Sequence, residues 1–154
     1  MSDPRDQLKG KFEPEHRFAN FGDVIVRIRV RGFRCHVDTV VDIESAITAF
    51  TGLNGTGKST LIQLAATAYK DPDGRPSFTI RDFMVRSALD REPYQPGASV
   101  QFDYWTEARR ARPILLSRNI SDNRWNGYRR RPARKVFFAG IGLYLPKVSA
   151  KLNY

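Results

Sequence analysis

The sequence predicts an α/β fold, with a mixed, twisted sheet built around a glycine-rich loop and antiparallel strands ahead of that loop. Three observations predict it. Two strand-like stretches follow one another over residues 24–43. A short apolar segment, 46–51, then runs into the glycine-rich stretch 52–57. From residue 58 the apolar spacing becomes helical.

Residues 1–22 read as a flexible arm, because Pro4, Gly10 and Pro14 interrupt a mixed-charge stretch that holds no period. Residues 23–154 read as one unit. Within it Val24, Val26, Ile28 and Val30 alternate with Ile25, Arg27, Arg29 and Arg31, the mark of a strand with one buried face. Gly32 ends the alternation. Residues 35–43 are rich in β-branched side chains (Val37, Thr39, Val40, Val41, Ile43), so the two stretches form an antiparallel hairpin. Segment 46–51 is short and apolar, as a strand buried on both faces would be. Beyond the loop, Leu61, Leu64, Ala65 and Ala68 mark a helix that stops near Tyr69, before the turn Asp71-Pro72-Asp73-Gly74. Residues 77–91 fit a strand followed by a short helix. Val100, Phe102 and Tyr104 alternate within a strand at 99–105, and 114–120 is its partner across a basic turn at 108–113. Residues 121–135 read as a polar, arginine-rich loop, and 136–145 as a buried strand or strand–turn ended by Pro146.

A chain of 154 residues can bury one core, and 41% hydrophobic with 27% charged residues describes a globular protein. The longest apolar run, 136–145, falls well short of the roughly 20 residues that span a bilayer. The polar N-terminus lacks the apolar stretch of a secretory signal. A cytoplasmic protein with no membrane partner is expected. The single Cys35 forms no internal disulfide and reads as a half-buried strand-edge residue; with only His16 and His36 beside it, a structural zinc site is not expected.

The formal net charge of +10 favours a polyanion as partner, nucleic acid first among them. Arg109, Arg110 and Arg112 form one basic cluster. Arg124, Arg129, Arg130, Arg131, Arg134 and Lys135 form another, with Trp125 and Tyr128 interleaved. Arginine beside aromatic rings suits phosphate contact and base stacking. Solvated loops, or arginines that pair with acidic residues elsewhere in an assembly, explain the same residues equally well.

One motif carries chemistry. Gly52, Leu53, Asn54, Gly55, Thr56, Gly57, Lys58, Ser59 and Thr60 fit G-x-x-x-x-G-K-[ST] without a gap. The glycines let the backbone approach an anion and turn its N–H groups inward. The following helix offers its positive end to the same anion. Lys58 adds a full charge toward the β- and γ-phosphates, and the Ser59 hydroxyl is placed to hold Mg²⁺. The ligand this pattern implies is a nucleoside triphosphate, ATP with Mg²⁺.

About 50 residues with an antiparallel pair precede the loop. That arrangement resembles the ABC-type ATPase heads of the SMC, RecF and RecN group. Gly32-Phe33-Arg34 looks like the aromatic-Arg step that ends their opening strand. The segment from Gly52 to Thr60 looks like their G-x-N-G-x-G-K-S-T loop, and Leu61-Ile62-Gln63-Leu64 is also similar. Arg124-Trp125-Asn126-Gly127-Tyr128 and the arginines after it are similar to a stretch in bacterial SMC-like ATPases of phage defence. The resemblance implies that Asn54 bounds the phosphate pocket and that Arg34 lies near the nucleotide.

Such heads also use a glutamine, an LSGGQ-like signature, an aliphatic strand ending in Asp-Glu and a switch histidine. None of these stands after Thr60: Val100-Gln101-Phe102-Asp103 is a poor approach to the acidic strand, and Gln95 and Gln101 are poor candidates for the glutamine. The resemblance therefore implies the N-terminal lobe of a head, in DNA repair or anti-phage defence. It would bind ATP and hydrolyse it only with a C-terminal half or a second copy of the full protein as partner. Two alternatives are a stand-alone kinase or GTPase, which needs its own acidic Mg²⁺ ligand, and a non-catalytic DNA-binding module with a vestigial loop.

Overall fold

The computed structural model describes residues 3–84, 93–122 and 124–140. Five strands form one sheet: β1 (Val24–Phe33), β2 (His36–Asp42), β3 (Tyr94–Trp105), β4 (Ala111–Arg118) and β5 (Trp125–Asn126). Their order is β2-β1-β3-β4-β5, and every neighbouring pair is antiparallel. The hairpin expected over 24–43 is present as β1 and β2, and the pair expected at 99–105 and 114–120 as β3 and β4. The mixed sheet is not. Among the described residues the one parallel pairing is the bridge of Lys70 with Ala133. The strand expected at 46–51 does not form: that segment is irregular and largely exposed, with Ile47 at 74%. A strand exists only against a neighbour that accepts its N–H groups, and no described strand runs alongside this one.

β1 departs from strict alternation. Its register with β3 shifts between Ile25 and Arg27, so Val26 is one residue too many for its partner strand. The bulge brings Ile25, rather than Val26, into contact with the core that Ile28 and Val30 enter. Val100, Phe102 and Tyr104 of β3 and Ile114 and Leu116 of β4 complete that face of the sheet. The opposite face is charged: Arg27 pairs with Asp42 at 2.5 Å and Arg29 with Asp38 at 2.7 Å.

Helices cover the apolar face. In α3 (Lys58–Ala66), Leu61 and Leu64 share a side with Ala68 just beyond its end, at the spacing that builds an apolar stripe. The Tyr104 hydroxyl donates to the Ala68 carbonyl, joining helix end to sheet. The turn expected at 71–74 is held by the Asp73 amide on the Asp71 carboxylate, 2.8 Å. The short α4 (Ile80–Phe83) follows, opened by a reciprocal cap between Thr79 and Asp82, and it buries Ile80. Of the stretch 77–91, residues 77–84 contain this helix and no strand, and 85–92 lie outside the described residues.

The N-terminal stretch departs from the expected arm. Residues 1–2 lie outside the described residues, and α1 (Pro4–Phe12) and α2 (Pro14–Phe21) occupy most of the rest. Phe12 is buried, edge-on to Phe21 at 5.6 Å, and the Arg17 guanidinium lies over Phe12 and Trp105. Each helix is too short for a period to show, and proline opens both. Residues 136–140 form no strand either. Phe137 is exposed, Phe138 meets Phe83 at 4.8 Å, and 141–145 lie outside the described residues.

Candidate phosphate-binding site

The glycine-rich loop joins irregular residues 43–51 to α3. All three of its glycines take backbone angles that L side chains avoid, Gly52 at φ 137°, Gly55 at φ 83° and Gly57 at φ 87°. The loop closes on itself. The Lys58 ammonium donates to the carbonyls of Gly52 at 2.8 Å and Leu53 at 2.5 Å, and the Thr56 hydroxyl donates to Leu53 at 2.9 Å. The first helical bond runs from the Leu61 amide to the Gly57 carbonyl, 3.0 Å. The amides of Lys58, Ser59 and Thr60 therefore open the helix without acceptors inside it, at its positive end.

A cavity of about 360 Å³ lies over this helix start. Asn54, Gly55, Gly57, Lys58, Ser59 and Thr60 line one side, and Arg34 and Cys35 line the other. No Asp or Glu is among the lining residues, so two cationic side chains and a helix N-terminus face one volume with no acid to offset them. Such a volume favours an anion over a cation. Of the loop residues named from sequence, Gly52, at φ 137°, and Thr56 shape the ring through their backbone and hydroxyl without lining the cavity. Ser59 is exposed, and Thr60, 2% exposed, forms the floor.

Arg34 reaches the cavity because the β1–β2 turn folds over the loop. Its φ of 47° is unusual for a residue with a side chain. Its amide donates to the Pro93 carbonyl at 2.9 Å, which holds that turn in place. Cys35 is exposed rather than half-buried. The residue that sequence reading missed is His36, 4% exposed, whose Nε2 lies 3.2 Å from the Gly57 carbonyl and whose Nδ1 lies 3.0 Å from the Thr39 hydroxyl. Gly57 is packed against this turn so closely that a Cβ there would stand 2.6 Å from Cys35 Sγ and closer still to His36 Nε2. Only the fold brings these residues together, and no spacing motif signals the pair.

The basic clusters fare unevenly. Arg109 and Arg110 are exposed in the β3–β4 turn and Arg112 at the start of β4, where it stands 3.8 Å from Asp23. Arg110 and Arg112 line a second cavity of about 790 Å³, but Asp23 and Glu107 line it too, which weakens its pull on an anion. Arg129 and Arg130 are exposed on a 3₁₀ turn, Tyr128–Arg130. Arg131 is 4% exposed and donates to the carbonyls of Thr67 at 2.6 Å, Phe78 at 2.9 Å and Tyr128 at 3.0 Å; burial lowers its pKa. It ties α3 to its surroundings and is not a nucleic-acid contact. The expected loop 121–135 thus contains core residues. Trp125 stacks on Phe33 at 5.4 Å, and the Tyr128 hydroxyl accepts the Ile80 amide at 3.0 Å. Neither ring is free to stack on a base.

A family model described as an AAA domain matches residues 27–124, well over half of the chain. The match begins in β1, takes in the whole glycine-rich loop with Arg34 and His36, and ends just before β5. The chain belongs to the AAA domain family. No curated protein matches it. An AAA domain is a nucleotide-binding ATPase unit. No described helix is long and apolar enough to cross a membrane.

Proposed function

We propose that this AAA domain has a P-loop NTPase fold and binds ATP with Mg²⁺ as the N-terminal lobe of an SMC/RecF-like ATPase head. The observation that carries the reading is the geometry at the start of α3: left-handed Gly55 and Gly57, Lys58 folded over the loop, and Arg34 facing it across one cavity. The residues fit the ligand. A triphosphate offers oxygens to the free helical amides and takes over the Lys58 ammonium from the Gly52 and Leu53 carbonyls. The exposed Ser59 hydroxyl would hold the metal, which when bound neutralises phosphate charge.

The lining of the cavity has no carboxylate to hold Mg²⁺ from the other side or to activate water. Hydrolysis in this reading needs a partner surface, either a C-terminal half of the head or a second copy of the full protein. The exposed residues 44–49, which lead toward the loop with no described strand beside them, support such a partner. The antiparallel strands ahead of the loop favour the SMC/RecF-like placement, with work in DNA repair or anti-phage defence in the cytoplasm. DNA contact would fall to Arg109, Arg110, Arg112, Arg129 and Arg130, all exposed.

Equilibrium dialysis with labelled ATP at millimolar Mg²⁺ tests the reading. Lys58→Ala is expected to weaken binding about 10- to 100-fold, the scale of a charge-assisted hydrogen-bonding group. Equal retention of ATP by both proteins would reject it.

A further inference from the structure

We propose that His36 is a positioning residue for the phosphate-binding loop, holding the Gly57 carbonyl so that the amides after it face the anion. The inference rests on the triphosphate-binding reading and assigns a part to a residue outside the loop motif. A carbonyl can only accept, so the Nε2 that stands 3.2 Å from Gly57 carries the ring's proton. In the neutral ring Nδ1 then accepts from the Thr39 hydroxyl at 3.0 Å, which fixes both the ring's orientation and its tautomer.

The held carbonyl matters because of its position. Gly57 caps α3 in a left-handed conformation, and its carbonyl also receives the first helical bond, from Leu61. The plane of that peptide sets the direction of the Lys58 amide, which is part of the same rigid unit. Left unheld, a glycine at φ 87° has more backbone freedom than any other residue. His36 supplies the restraint from β2, and the contact is tight enough that no side chain fits at position 57. The sheet and the anion site are thereby joined through one hydrogen bond between residues 21 apart in sequence.

Two substitutions of the full chain separate positioning from packing. His36→Gln keeps an N–H donor near the place of Nε2, whereas His36→Asn keeps only a group near Nδ1, facing Thr39. Affinity for Mg²⁺-ATP is measured by dialysis. Motion of the Gly55, Gly57 and Lys58 amides is measured by ¹⁵N relaxation in the nucleotide-free protein. His36→Asn is expected to weaken ATP binding about fivefold, the scale of one hydrogen bond, and to raise amide motion in the loop. His36→Gln is expected to stay within about twofold of the parent on the same scale and to leave the loop ordered. Asn and Gln variants that match each other in both readouts would overturn the proposal. If the parent chain binds no ATP, the function proposed above falls, and the amide motion alone still decides the role of His36: equal loop order in parent and His36→Asn rejects it.

Discussion

The sheet core and the segment that leads into the glycine-rich loop are both built from apolar residues, yet they end in opposite states. Phe33 stacks on Trp125 at 5.4 Å, meets Tyr94 edge-on at 6.1 Å, and has no exposed surface. Ile47, at 74%, stands in solvent, as does Leu53 in the loop that follows, at 81%. The difference lies in hydrogen-bond partners. β1 has a strand on each side, so its backbone is satisfied and its side chains can be buried together. In 43–51 the Ile43 amide still donates to the Val26 carbonyl of β1 at 2.9 Å, and Ile43 and Phe50 pack against the core; residues 44–49 between them are exposed and have no described strand beside them. The first region is self-sufficient; most of the second stands in solvent.

Breaking the first region should have the largest effect. Phe33→Ala removes a fully buried ring and should cost about 3–5 kcal/mol, read as a lower denaturation midpoint with ATP binding lost only as the fold is lost. A variant that unfolds normally but no longer binds ATP would show that the two regions are not separable in this way. Gly57→Ala acts at the junction. The positive φ alone costs about 1–3 kcal/mol, and the added Cβ pushes against His36 and Cys35. We expect a modest fall in Tm with a disproportionate loss of ATP affinity. An unchanged affinity would separate the loop from the turn that covers it.

The smallest effect is expected on the charged face of the sheet. Arg29, with help from Arg31, donates to Asp38 and holds its carboxyl well below the usual carboxylate range. A depressed pKa stabilises the folded state above the unfolded value, near 4, and that contribution fades as the pH falls through the folded pKa. Asp38→Asn should therefore lower Tm by at most about 2 °C at pH 7, because the pair is exposed. The difference between parent and variant should begin to shrink as the pH falls below about 4 and vanish only below the folded pKa of Asp38. A variant that is more stable at pH 7 would contradict the ion pair's contribution.

Much of this was legible in the residues. Alternation in 24–33 and 99–105 located β1 and β3, and the spacing of Leu61 and Leu64 located α3. The loop motif located the anion site because each of its positions has a local physical requirement. What escaped was set by long-range contact. The bulge at Val26 answers to the register with β3. Arg131 reads as a surface charge until the carbonyls of Thr67 and Phe78 converge on it, and Trp125 reads as a stacking platform until Phe33 covers it. His36 and Gly57 meet only because the β1–β2 turn folds over the loop. Segment 46–51 reads as a strand by composition, but composition does not supply a neighbour.

In the proposed function, the amides at the start of α3, with Lys58, form the seat of a triphosphate. Titration of Mg²⁺-ATP followed at the backbone amide resonances of Gly55, Gly57, Lys58, Ser59 and Thr60 tests it most directly. Saturable shifts concentrated at those five amides, and abolished by Lys58→Ala, are expected. Shifts spread evenly over the exposed arginines, unchanged by Lys58→Ala and lost in moderate salt, would contradict it.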